Sequence, residues 1–205
     1  MIAILDYDAG NLKSVEKALR FLGEDSVITR DRREVAAADR VILPGVGSFG
    51  AAMEQLKKYE IDKMLREAGA KKKPILGICL GLQLLFDGSS ESQGVEGLHL
   101  LPGDILRIPD KEGLKIPHIG WNSLEFMNQG RLFRGVEDHS YVYFVHSYYL
   151  KARDEKIVKA VTEYSTHIHA SVEWENIFAC QFHPEKSSGV GLKILSNFAK
   201  VQGGV

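Results

Sequence analysis

Cysteine is scarce: Cys79 and Cys180 are the only two in 205 residues. They form no C-x-x-C pair, which argues against both a disulfide framework and a thiolate zinc site. Net charge is nearly absent, since 26 Lys and Arg face 27 Asp and Glu. The chain therefore offers no electrostatic footprint for nucleic acid or an anionic membrane. Long apolar runs are also missing, and none approaches the roughly 20 residues that a membrane span needs. The opening MIAILDYDAGNLKS has no basic lead and only a short apolar run, so it reads as a first strand rather than a signal peptide. A cytoplasmic protein without cofactor or metal is expected. There is no internal repeat or low-complexity tract. With 44% hydrophobic and 26% charged residues, the chain has an ordinary globular composition, and one domain over 1–205 is expected.

What is present begins as strand alternating with helix. Ile2 to Leu5 reads as a buried strand that leaves the sheet through the turn DYDAGN. Asn11 is placed to cap a helix whose Leu12, Val15, Leu19 and Leu22 share one face, ending at Gly23. Strands follow at Ser26 to Thr29 and Val41 to Leu43, with a polar connection from Arg30 to Ala38 that has room for a short helix. Helical patterns cover Phe49 to Lys58 and Ile61 to Ala68. This order predicts an α/β fold with a mostly parallel central sheet flanked by helices. After Asp87 the texture changes. GSSESQGVEG reads as a surface loop, and short β-like runs dominate from Gly103 onward: Asp104 to Ile108, Asn122 to Phe126, Tyr141 to Val145, Tyr148 to Ala152, Ile157 to Glu163, His169 to Glu173 and Ile177 to Phe182. Antiparallel strands are expected there, closed by a helix over Val190 to Val201.

Three stretches carry chemistry. The first is PILGICLGLQLLF, Pro74 to Phe86. An apolar strand ends at Cys79, with Gly77 and Gly81 two positions to either side and a helix-like run from Leu80. Glycines at those places let the backbone bend tightly and approach closely. A thiol at a helix start sits in a field that favours negative charge, beside backbone N–H groups suited to an oxyanion. This is the thiol form of the nucleophile elbow. A plain core cysteine remains the other reading. The second stretch is PGVGSFG, Pro44 to Gly50, whose bare backbone suits an anion or a developing oxyanion; taken alone, the loop is better explained as a tight strand-to-helix turn. The third is QFHPE. Pro184 keeps His183 out of helical conformation. In an extended segment Glu185 falls on the same side as His183 and can orient its imidazole. Nucleophile, base and orienter are what thiol acyl transfer requires, although His183 alone also reads as a strand-end surface histidine. His167 and His169 have no third ligand nearby to complete a metal set. His118 and His146 lie in aromatic strand segments that read as core or interface, and Cys180 reads as inert packing.

GICLGLQ, PGVG and QFHPE together resemble the class I glutamine amidotransferases. DYDAGNLKS, GLHLLPG, IPHIGWN and YFVHSYY narrow the likeness to the glutaminase subunits of imidazole glycerol phosphate synthases, in order over essentially the whole chain. The resemblance implies that Cys79 forms a γ-glutamyl thioester, with His183 as general base and acid and Glu185 holding it. It implies oxyanion donors at the N–H of Leu80 and of Val46, the second after a peptide flip. Gly47, Gln83, Val145, His146, Ser147 and Tyr148 would line a pocket for L-glutamine. A separate (β/α)8-barrel cyclase subunit would be the partner and receive the ammonia. Asn11, Trp121 and Lys186 are interface candidates, with core packing for Trp121 and a solvated charge for Lys186 as the alternatives. Three rivals stand beside this reading: the glutaminase of an anthranilate or aminodeoxychorismate enzyme, a stand-alone cysteine hydrolase, and an idle regulatory subunit. IPHIGWN and YFVHSYY disfavour the first, Gln83 with H-P-E the second, and the presence of all three triad residue types the third.

Overall fold

Alternation along the first strands decides the layering. In the computed structural model, which describes residues 1–203, all of β1 (Ile2–Leu5) is buried. Ile2 and Ile4 point into one core, Ala3 and Leu5 into another. A strand buried on both faces belongs inside a parallel sheet covered by helices on both sides. The chain continues through α1 (Leu12–Phe21), β2 (Ser26–Thr29), α2 (Arg32–Ala37), β3 (Arg40–Gly45), α3 (Phe49–Lys58), α4 (Ile61–Ala70), β4 (Ile75–Cys79) and α5 (Leu80–Leu84). It then forms β5 (Gly88–Ser89), β6 (Gly103–Arg107), β7 (His118–Ser123), β8 (Glu125–Phe126), β9 (Tyr141–His146), β10 (Tyr148–Ala152), β11 (Val158–Tyr164), β12 (Thr166–Trp174), β13 (Ile177–Cys180) and α6 (Ser188–Ala199).

The main sheet has eight strands in the order β2-β1-β3-β4-β13-β12-β11-β8. The run from β2 to β13 is parallel, and β12, β11 and β8 are added antiparallel. One core joins Leu5 and Leu43 to Phe49 and Leu56 of α3 and to Ile61 and Leu65 of α4. The other joins Ile4, Ile42 and Ile78 to Val15 and Leu19 of α1 and to Ile194, Leu195 and Phe198 of α6. Each such side chain contributes roughly 1.5–3 kcal/mol when fully buried. An exposed ion pair such as Lys13–Glu16 at 2.9 Å contributes about 1 kcal/mol at most, so the two apolar cores fix the sheet. Beside it lie a three-stranded sheet, β10-β6-β5, and the antiparallel pair β7-β9.

Several local expectations are corrected. Asn122 to Phe126 is not one strand: β7 starts at His118 and pairs with β9, while β8 joins the main sheet. The stretch expected as a surface loop begins with a short strand, β5, which pairs parallel with β6. The helix after Cys79 stops at Leu84 rather than Phe86. Asn11 adopts φ 74° and makes no side-chain cap to α1, since its amide is engaged elsewhere. Asp31 does cap, accepting from the N–H groups of Arg33 and Glu34 at 2.6 and 3.2 Å, which makes the Arg30 to Ala38 connection helical.

Candidate active site

The turn from β4 into α5 forces Cys79 to φ 55°, ψ −109°. A non-glycine residue in that region is strained, a state that surrounding structure must impose. The two glycines allow it. A Cβ at Gly81 would lie 1.8 Å from the Leu43 carbonyl oxygen, and one at Gly77 would lie 2.7 Å from the Gly81 oxygen. Strands β3 and β4 and the turn therefore touch backbone to backbone. The register pairs Gly45 with Cys79. The chain leaving β3 thus passes the thiol as Val46 and Gly47, the latter at φ 99°. Beneath this crossing the Tyr7 hydroxyl, buried, donates to the Pro44 carbonyl at 2.7 Å.

Strand β13 lies parallel to β4, with Cys180 opposite Ile78. The residues beyond Cys180 are thereby delivered beside Cys79. The His183 backbone is held at both ends: its N–H donates to the Tyr143 carbonyl at 2.9 Å, and its carbonyl accepts from the Ser187 hydroxyl at 2.7 Å. Glu185 Oε1 lies 2.8 Å from His183 Nδ1. His183 itself is extended, at φ −99° and ψ 96°, as expected from Pro184, but the residues after it are not. Pro184 to Lys186 is one 3-10 turn, and that turn swings Glu185 back onto the ring. Asn11 Nδ2 also donates to Glu185 Oε1, which is where the expected cap residue spends its amide. His183 Nε2 is buried, has no hydrogen-bond partner and faces the Cys79 thiol. Burial pulls the His183 pKa down, but the hydrogen bonds and charges of Cys79 and Glu185 outweigh it and raise the value to about 9. The imidazole therefore holds its proton through neutral pH.

Beside this group opens a cavity of about 320 Å³. It is lined by Cys79 and His183, by Leu80 and Gln83 of α5, by Val46 and Gly47, and by Val145, His146, Ser147 and Tyr148 around the β9–β10 turn. Two further lining residues lie outside the expected set. Pro117 belongs to the IPHIGWN segment, and Glu91 comes from the stretch that reads as a surface loop. Polar composition disguises it: Glu91 Oε2 accepts from the Phe49 N–H at 2.7 Å and so fastens the loop over the start of α3. Glu91 is the carboxylate among the lining residues. Gln181 is a third addition, wholly buried and within reach of the thiol.

Asn11, Trp121 and Lys186 do not line the cavity. Trp121 is half exposed, on the same β7–β9 ribbon as the exposed Ile119 and Tyr141, so core packing is excluded for it. Lys186 Nζ lies 6.0 Å from the centre of the Tyr143 ring, on that ribbon. His169 Nδ1 accepts from the Ala152 N–H at 3.1 Å and His167 lies 3.3 Å from Glu163. No group of three metal-ligating side chains exists among the described residues. Nor is any helix among them long and apolar enough to cross a membrane. Cys180 is buried, and burial pushes its thiol pKa up, in keeping with inert packing.

The model of the class I glutamine amidotransferase family matches residues 3–201. A Moorella thermoacetica protein, imidazole glycerol phosphate synthase subunit HisH, is 49% identical over 98% of this chain and 94% of its own. A Bacillus anthracis protein of the same name is 48% identical over 98% and 95%. Among solved structures, a glutamine amidotransferase superposes with a TM-score of 0.75 at 18% identity, covering 98% of this chain and 99% of that one. A Thermotoga maritima glutamine amidotransferase gives 0.66 at 19%, covering 96% and 81%; at these identities the likeness concerns the fold. The elbow, the facing histidine and the match over nearly all of its length agree: the chain belongs to the class I glutamine amidotransferase family.

Proposed function

We propose that this chain is the glutaminase subunit of an imidazole glycerol phosphate synthase, releasing ammonia from L-glutamine for a (β/α)8-barrel cyclase subunit. The observation that carries the chemistry is the pairing at His183: Nδ1 is fixed by Glu185, and Nε2, buried and free, faces Cys79. Cys79 Sγ attacks the side-chain carboxamide carbon of glutamine. The N–H groups of Leu80 and Val46 hold the oxyanion that forms. The His183 imidazolium gives its proton to the leaving nitrogen, the C–N bond breaks, and ammonia departs from a γ-glutamyl thioester. The neutral imidazole then takes a proton from water, whose oxygen attacks the thioester. Glutamate leaves, and the thiolate and imidazolium are restored. Glu185 acts throughout by holding the tautomer and orientation of the ring.

Substrate choice follows from the lining. Glu91 supplies the negative charge for the α-ammonium of glutamine, and the backbone of Val145 to Ser147 with Gln83 receives the remaining polar groups. The relatives' name, subunit of a synthase, supports a partner. Ile119, Trp121 and Tyr141, exposed side by side near Pro117 at the cavity, suit a protein interface, where Trp and Tyr are enriched. Lys186 beside Tyr143 extends that face, and Asn11 reaches the triad from α1. Ammonia passed to the partner would join a ribulosyl-formimino intermediate, giving imidazole glycerol phosphate and an aminoimidazole carboxamide ribotide. The reading places the protein in the cytoplasm. The test is glutamine hydrolysis by the chain alone, with the cyclase, and with the cyclase and its nucleotide substrate. If the Val46 donor is aligned only in the full complex, activity should rise roughly 100-fold or more there, the effect of one oxyanion donor. Full activity without a partner would contradict a regulated glutaminase.

A further inference from the structure

Gln181 lies between β13 and His183, wholly buried, with Nε2 3.7 Å from Cys79 Sγ. It is the inner end of a chain of hydrogen bonds. Gln83 Nε2 lies 3.1 Å from Gln181 Oε1 and 3.0 Å from the Tyr148 carbonyl oxygen. His146 Nδ1 lies 2.9 Å from the same carbonyl, and His146 Nε2 lies 3.1 Å from His118 Nδ1.

One atom sets the direction of every link. A backbone carbonyl only accepts. Gln83 must therefore offer its NH2 to Tyr148, and that same nitrogen must meet an oxygen on Gln181. The Gln181 nitrogen is then left pointing at sulfur, with no amide flip available that avoids a donor–donor clash. At the far end His146 donates through Nδ1, which leaves Nε2 bare in the neutral ring. Burial keeps that ring neutral, with its pKa pulled down to about 3. His118 Nδ1 then donates to it.

We infer that Gln181 is a positioning residue for the nucleophile: its fixed amide N–H donates to Cys79 Sγ and holds the sulfur, as thiolate, in the attacking orientation. This rests on the proposed role of Cys79. The second polar contact of the sulfur acts in the opposite state. The Val145 carbonyl, 3.8 Å away, accepts from S–H and favours the thiol, whereas Gln181 donates and favours the thiolate. The other titratable groups around the sulfur are committed elsewhere or act from the far side. His183 faces it as imidazolium, with Glu185 behind; Tyr7 has its hydroxyl committed to Pro44; Cys180 is buried and neutral.

The test is the rate at which iodoacetamide alkylates Cys79, measured against pH, in the native chain, Gln181→Leu and Gln181→Glu. The midpoint of the profile should rise by about one pH unit in Gln181→Leu and further in Gln181→Glu, with the rate about tenfold lower at pH values well below the native midpoint. The turnover number for glutamine should fall with KM little changed. An unmoved midpoint in both variants would make Gln181 a packing residue and overturn the inference. Should the variants not fold, the side-chain amide resonance of Gln181 in the native chain decides. It should titrate with the same midpoint as Cys79 alkylation and stay flat in Cys79→Ala; a flat response in the native chain overturns the inference. Alkylation needs no glutamine, so failure of the glutaminase reading would show separately, as a chain that is alkylated normally but hydrolyses nothing.

Discussion

Cys79→Ala is expected to lower glutamine hydrolysis by about 10⁴-fold or more while leaving the fold intact. Cys180 cannot substitute, because it is buried in the core beneath α1 and α6. Water attacking directly would lose the thioester step, and what remains is positioning alone. The replacement removes one sulfur at a strand end without adding volume, and a cavity that small costs roughly 1 kcal/mol. Alanine must still adopt φ 55° there, as cysteine does. The measurement is glutamate release by the variant with the cyclase and its nucleotide substrate, followed by product formation when free ammonia replaces glutamine. The account expects the first to vanish and the second to persist. Glutamine-dependent turnover at the native rate would remove Cys79 from the chemistry.

Gly81→Ala is expected to be severely destabilising. Its Cβ would stand 1.8 Å from the Leu43 carbonyl oxygen, and neither partner is a flexible side chain that can swing away. Either β3 separates from the elbow or the elbow unwinds, and both break the closest part of the sheet. The cost is about 4 kcal/mol or more, a large share of the about 5–15 kcal/mol that holds a domain together. For a chain of this size that lowers the thermal midpoint by about 10 °C or more. Gly113→Ala is the matched control. It has φ 81° but nothing within 4 Å of the added carbon, so it carries only the left-handed penalty of about 1–2 kcal/mol. A thermal scan of the two variants compares crowding with backbone strain. A Gly81→Ala protein that melts with the native one would mean the elbow is not built on backbone contact.

The features legible in the sequence are those in which a residue type reports its own backbone. Gly77 and Gly81 around Cys79 announce a tight turn, because nothing else fits where β3 and β4 meet. The all-apolar β1 and β4 announce a covered parallel sheet. The elements that escape depend on partners far along the chain. β7 reads HIGWNS, directly after Pro117 and with glycine and polar groups, and becomes a strand because β9 pairs with it. Asn11 reads as a cap, since the acceptor it finds, Glu185, is 174 residues away. Glu185 is legible as the partner of His183, but the local geometry is not: a 3-10 turn, not an extended segment, brings it back. Glu91 is hidden in a stretch whose composition says only that it is polar. Gln181 is visible as a polar residue on a buried strand, and only the neighbouring amide and carbonyl reveal its orientation.

In the proposed mechanism Cys79 attacks the carboxamide carbon of a bound glutamine. The most direct measurement is covalent capture with diazo-oxo-norleucine, a glutamine analogue that carries an electrophilic carbon near that position, read by peptide mass spectrometry on the chain with and without its cyclase partner and nucleotide. The account predicts one adduct per chain, on Cys79, prevented by excess glutamine and formed faster in the complex. No adduct in the complex, or one shared with Cys180 and indifferent to glutamine, would contradict it.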